Sequence, residues 1–217
     1  MMPLRIGGAS AGRLSVLCLG AHCDDIEIGC GGTILRLIDE VADLHVDWIV
    51  FASNNERRAE AERSAELFLD GCATRRIAVE SFRESYFPWV GAELKDYFAA
   101  LAARGRPDLV LTHARDDRHQ DHRTIAELTW NGFRDHLILE YEIPKWDGDL
   151  GRPNLYVPLD EAIAERKVQT LLDAFPSQRS RHWFDADTFR GLLRLRGMEC
   201  NAPARFAEAF HAHKLVL

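Results

Sequence analysis

Apolar and polar positions alternate along this chain in two distinct periods. Residues 14–19 form a short, almost wholly apolar run, and 45–52, 108–112 and 136–142 repeat that character. Such runs suit strands buried on both faces of a parallel sheet. Between them the spacing changes to that of helices. Ile34, Leu35, Leu37, Ile38 and Val41 define one apolar face, as expected of a helix packed on a sheet. Residues 56–71 predict a charged helix with Ser53, Asn54 and Asn55 as turn and cap and Gly71 as its stop. A short strand is expected at 75–79, a helix at 93–103 and another at 125–133. After Pro144 the pattern weakens to a short strand at 155–159, helices at 160–174 and 185–196, and a closing strand over 204–213.

Strands alternating with helices imply an α/β fold of the Rossmann-like kind, a mostly parallel sheet with helices on both faces. No linker or repeat divides the chain, so residues 1–217 are expected to form one domain, with the Gly/Ser/Ala-rich residues 1–13 flexible. The 217 residues carry a formal charge of −7, with 47% hydrophobic and 28% charged positions. That balance disfavours a nucleic-acid surface, which needs a basic stripe to neutralise phosphates. No apolar run reaches the ~18 residues of a membrane span. The five cysteines form no C-x-x-C pair, which argues against a disulfide framework or a thiolate zinc site and for a reducing compartment. A soluble, cytoplasmic protein is expected, and association into a homo-oligomer stays open.

The chemistry gathers after two of the strands. His22, Asp24 and Asp25 follow the first, and His113, Asp116, Asp117, His119, Asp121 and His122 follow the 108–112 run. Parallel sheets bind ligands outside the carboxyl ends of their strands, so both clusters fall on one rim. Two histidines and a carboxylate around an open position describe a catalytic zinc site, and the same donors suit ferrous iron. A spare carboxylate nearby is placed to act as general base. Gly29, Gly31 and Gly32 read as a turn opening a helix; they lack G-x-G-x-x-G spacing, and the acidic pair before them would repel a pyrophosphate. Trp89 and Trp146 fall in loops, either as lids over the core or as platforms for a sugar ring.

The stretch from His22 to Gly32, together with Thr112 to Arg123, resembles the paired motifs of the LmbE-like, or PIG-L, metal-dependent N-deacetylases. Ser177-Gln178 and Ala207-Glu208-Ala209-Phe210 are weaker matches to the same family. The resemblance implies His22, Asp25 and His122 as metal ligands for Zn2+, with Fe2+ as the other option. It implies Asp24 as general base, His119 facing the substrate carbonyl, and Asp121 holding an imidazole in orientation. An arginine near Arg57 or Arg58 is expected to contact substrate. Cys23 departs from the family, which usually has proline there. The implied activity is removal of an N-acetyl group from an N-acetylated amino sugar or its conjugate, with a small-molecule substrate and no nucleic-acid or membrane partner. A nucleotide-binding Rossmann-like module without hydrolase activity and a metal-dependent phosphoesterase are the competing functions.

Overall fold

The computed structural model describes residues 12–216, so the expectation of a flexible start falls mostly outside the described residues. Seven strands form one sheet: β1 (Arg13–Gly20), β2 (Asp43–Val50), β3 (Thr74–Val79), β4 (Leu109–His113), β5 (Leu137–Tyr141), β6 (Leu155–Leu159) and β7 (Phe206–Ala212). Their order across the sheet is β3-β2-β1-β4-β5-β7-β6. The five strands from β3 to β5 pair in parallel, and β7 pairs antiparallel with both β5 and β6. The expected mostly parallel α/β sheet is the fold observed.

Alternation along β1 sorts the core into two layers. Leu14, Val16 and Cys18 face one layer with Trp48, Phe68, Leu171 and Phe189, while Leu17 and Leu19 face another with Phe51, Phe98, Ile125 and Ile138. Helices α1 (Asp25–Glu40), α2 (Asn55–Phe68), α5 (Glu161–Ala174) and α6 (Ala186–Glu199) contribute to the first layer. Helices α3 (Gly91–Ala102) and α4 (Gln120–Gly132) cover the second. The rings of Phe51 and Phe98 stack there at 5.2 Å. Each fully buried aliphatic or aromatic side chain contributes roughly 1.5–3 kcal/mol, so the two layers supply the bulk of the folding drive.

Two expectations are corrected, and both bear on the site. The glycine segment is not a turn: α1 begins at Asp25 and runs through Gly29, Gly31 and Gly32. The glycines are there for close packing. A Cβ on Gly29 would lie 2.2 Å from the Tyr141 ring, and one on Gly31 2.6 Å from Phe68. Helix α4 likewise starts at Gln120, five residues before the apolar pattern predicts, so Asp121 and His122 sit on its first turn rather than in a loop. Polar residues chosen for the site hid that turn from a reading based on apolar spacing.

Candidate active site

Strands β1 and β4 are neighbours, and the strand order reverses between them. The crevice at such a switch point is where an open parallel sheet binds ligands. The turn after β1 and the first residue of α1 deliver His22, Asp24 and Asp25; His113 ends β4, and the segment after it delivers Asp117, His119, Asp121 and His122. All of these except the half-buried His119 are buried.

Three donor side chains converge there, Asp25 through both of its oxygens. His22 Nδ1 lies 3.1 Å from His122 Nε2 and 3.5 Å from Asp25 Oδ2, and His122 Nε2 lies 3.5 Å from Asp25 Oδ1. Donors bound to one ion at about 2.0–2.2 Å stand roughly 3–3.5 Å apart, so this spacing suits a single first-row cation. On its other side, His22 Nε2 lies 3.2 Å from Asp121 Oδ2. A carboxylate only accepts, so His22 carries its proton on Nε2 and turns the Nδ1 lone pair inward. Two further groupings share His122: His22 with His119, and Asp25 with His113. Because His122 is common to both, they describe alternatives around one centre rather than two separate ions.

The electrostatics of the cluster also favour a cation. Burial would depress the His22 imidazole, but its bonds to Asp121 and Asp25 outweigh that and carry it up to about 10. The two carboxylates thus favour positive charge at this point, either as a second ring proton on Nδ1 or as a cation bound there in its place. Burial and the neighbouring His113 take His122 down to about 3, leaving it neutral with a free lone pair. Burial opposes ionisation of Asp25, yet the imidazoles of His122 and His113 hold its carboxyl well below the usual range. Neutral His122 and ionised Asp25 are in the states a metal ligand needs, whereas His22 must give up one ring proton to become one.

Asp24 occupies the N-cap position of α1 but makes no side-chain capping bond. Its Oδ1 instead accepts from Arg57 Nη2 at 2.8 Å. Burial raises the Asp24 carboxyl above its ordinary value, with Arg57 opposing and Asp25 adding to the rise. A buried carboxylate that caps nothing and pairs with Arg57 instead differs from the ordinary Asp of a helix start. Arg57 therefore lies at the site on Asp24, whereas Arg58 reaches along α2 towards Glu62 at 3.5 Å, away from the cluster.

His119 is the N-cap of α4, and its Nδ1 accepts from the Asp121 amide at 3.2 Å. That contact leaves Nε2–H as the donor the ring can offer outward. Asp121 also fastens the neighbouring loop, accepting from the amides of Ser85 (2.6 Å) and Phe87 (3.1 Å). Ser85 has φ +66°, a left-handed conformation uncommon for serine, stabilised here by that carboxylate. Phe87 is buried with its ring 6.2 Å from His22, while Tyr86 and Trp89 stand outside. Trp89 is 70% and Trp146 65% exposed, so neither is a core lid.

The Cys23 thiol donates to the Ala52 carbonyl at 3.3 Å, and burial pushes it up to about 12. It ties the turn to the segment just after β2 and is not a thiolate ligand. Three residues with no assigned role in the sequence reading also belong to the site. Asp117 contacts His122 (2.9 Å), and Lys145 contacts Asp117 (3.0 Å). Fully buried His113 stacks on His122 at 4.0 Å and accepts from the Ala21 amide. Polarity after a strand marks His113 and Asp117 as rim residues, but nothing in the spacing says what each touches.

Residues 17–133, more than half of the chain, match the family described as PIG-L: GlcNAc-PI de-N-acetylase. The protein belongs to that deacetylase family. It is 28% identical over 147 residues to the uncharacterized deacetylase YaiS of Escherichia coli K12, covering 61% of this chain and 75% of that one. The fold resembles N,N'-diacetylchitobiose deacetylase from Pyrococcus horikoshii (TM-score 0.67, 20% identity, 97% and 87% of the two chains). It equally resembles GalB, the 4-carboxy-2-hydroxymuconate hydratase from Pseudomonas putida KT2440 (TM-score 0.72, 17% identity, 94% and 98%). One fold thus carries both hydrolytic and hydratase chemistry, and function has to be argued from the site.

Proposed function

We propose that this chain is a single-domain, metal-dependent N-deacetylase that releases acetate from an N-acetylated amino sugar or its conjugate. The convergence of His22 Nδ1, Asp25 and His122 Nε2 within 3.1–3.5 Å, beside an uncapping Asp24, is the observation that carries this reading. The N, N, O donor set suits Zn2+ and accommodates Fe2+. His22, Asp25 and His122 would hold such an ion, which would polarise an amide carbonyl and make a nearby water more acidic.

The chain's own side chains supply the rest. Asp24, made more basic by burial, takes the proton from the attacking water and delivers it to the departing amine nitrogen. Arg57 keeps that carboxylate in place and, being at the site, is the arginine closer to substrate. His119, with Nε2–H free, donates to the oxygen that gains charge as the carbonyl is attacked. Asp121 holds His22 in the tautomer that points Nδ1 inward, and fixes the 85–87 backbone beside it. The sugar reading draws support from the activity named for the chitobiose deacetylase and from exposed Trp89 and Trp146, which lie within two residues of Phe87 and Lys145 at the site, since flat aromatic faces suit ring stacking. Five unpaired cysteines support a reducing, cytoplasmic setting. No described helix is long and apolar enough to cross a membrane. The glycines that might have cradled a nucleotide's phosphates are packed inside α1, which removes the support for a nucleotide-binding module.

The test is amine release from a panel of N-acetyl sugars and conjugates, with and without a chelator. Chelator-sensitive release, restored by Zn2+ or Fe2+, is expected. Chelator-resistant release would discard the metal, and no release from any member would discard the substrate class.

A further inference from the structure

Asp117 touches both histidines of the α4 arm with one carboxylate. Its Oδ1 accepts from the His119 amide at 2.7 Å. Its Oδ2 lies 2.9 Å from His122 Nδ1 and 3.0 Å from Lys145 Nζ. The group is buried, and Lys145 is itself fastened to Asp149 Oδ2 at 2.6 Å, which also accepts from the Arg118 amide at 2.6 Å. A side chain serving only to start α4 would need the His119 contact alone.

From this geometry we infer that Asp117 is the positioning residue that sets the tautomer of His122 and thereby makes its Nε2 available as a ligand. A carboxylate can only accept, so His122 must place its proton on Nδ1, and the Nε2 lone pair then faces His22 Nδ1 and Asp25 Oδ1. Asp121 does the same for His22 from the opposite side. Each imidazole of the candidate ligand set therefore has its own carboxylate, drawn from two different residues of the β4–α4 segment. The inference rests on the ligand assignment proposed above.

The two ends of the Asp117 carboxylate make a sharp test. In Asp117→Asn the amide oxygen is claimed by the His119 N–H, so the NH2 group is presented to His122 Nδ1. Lys145 keeps Asp149 as its partner and can withdraw. His122 Nδ1 must then accept, and its proton moves to Nε2, where it blocks the ligand position. Asp117→Ala removes the acceptor without forcing that reversal. The near-isosteric asparagine should thus be the worse substitution for metal binding, the reverse of what a purely structural role produces.

The experiment measures Zn2+ affinity by chelator competition for wild type, Asp117→Asn and Asp117→Ala. It adds thermal unfolding of the metal-free proteins and 15N shifts of the His122 ring, assigned with His122→Gln. Expected is a 10–100-fold weaker Zn2+ affinity for Asp117→Asn, a smaller loss for Asp117→Ala, and a His122 proton that moves from Nδ1 to Nε2 only in the asparagine variant. Wild-type Zn2+ affinity in Asp117→Asn, or a larger loss in Asp117→Ala, overturns the inference. If Asp117→Ala does not fold, the ring shifts decide: a proton still on Nδ1 in Asp117→Asn rejects it. A wild-type protein that binds no Zn2+ rejects the ligand assignment and this inference together, whereas tight wild-type binding with indifferent variants rejects the inference alone.

Discussion

The two arms of the site have the same plan, a strand followed by the first turn of a helix, but they are held in different ways. The α1 arm is secured from far along the chain. Glu208 on β7 accepts from the amides of Gly32 and Thr33 at 2.8 and 2.6 Å. Lys167 on α5 donates to the Ile28 carbonyl (2.7 Å) and to Glu208 (2.5 Å). This pair inserts into the middle of a helix whose glycines already lie against Tyr141 and Phe68. The α4 arm is secured mainly near at hand: Asp117 and His119 bond to groups within five residues of themselves, with Lys145 as an outer support, and only the Asp121 carboxylate reaches further, to His22 and the 85–87 backbone. Disturbance of the first arm should spread into the fold, whereas disturbance of the second should stay in the chemistry.

The largest expected effect tests whether Asp24, although on the α1 arm, is purely chemical. Asp24→Asn should lower turnover by about two to four orders of magnitude while metal content and thermal stability stay near wild type. Near-normal turnover would remove Asp24 as the base, and a large fall in melting temperature would show that its Arg57 pair also supports the fold.

Lys167→Met comes next and addresses the distant clamp. Removing one partner of a buried ion pair typically costs about 3–5 kcal/mol, because the other charge is left uncompensated. Denaturant unfolding should register that loss, with weaker metal binding as a secondary consequence of a loosened α1. Unchanged stability would mean the clamp is dispensable and would erase the contrast between the arms.

A smaller, pH-dependent effect concerns Glu27 on the first turn of α1. It is wholly buried, and neither oxygen makes a hydrogen bond of ordinary geometry among the described residues, although the Ser64 hydroxyl is close enough to oppose the rise of its carboxyl. Burial, and then the charges of Asp24 and Asp25, push its carboxyl from the ordinary 4.5 up to about 8. The folded state therefore prefers the neutral acid. That preference stabilises the fold fully below pH 4.5 and is lost as pH rises through about 8. Glu27→Gln cannot ionise, so its stability advantage over wild type in chelator-treated protein should grow between pH 5 and 8 and level off above. The shift bounds the effect at roughly 5 kcal/mol, and water entering around an ionised Glu27 should reduce it to about 2 kcal/mol. A difference that does not vary with pH would show that Glu27 stays ionised throughout.

Much of the sheet was legible because apolar runs and helical spacing depend on burial, which each residue type records in its own chemistry. The strands around residues 14–19, 108–112 and 136–142 were placed on that basis, as was α5 with its Asp160 cap, whose side chain accepts from Ile163 N at 2.7 Å. The common rim of the two polar clusters was legible too, since a parallel sheet has only one carboxyl edge. The starts of α1 and α4 were not: both begin in polar or glycine-rich segments whose residues answer to the site and to packing partners far away in sequence.

The sequence by itself determined an α/β sheet, two polar segments on one rim and the family whose motifs they resemble. Tertiary structure decided which atoms meet. The adjacency of β1 and β4 places His22 against His122 across a hundred positions of chain and assigns Asp121 to His22, while the turn into α4 brings Asp117 onto His122. It turned an apparent glycine turn into a tightly packed helix, left Trp89 and Trp146 in the open, and brought Arg57 onto Asp24 while sending Arg58 elsewhere. The physical reason is range. Burial and helical period are properties of a few neighbouring residues, whereas a hydrogen bond between side chains a hundred residues apart exists only once the sheet has set the register of both strands.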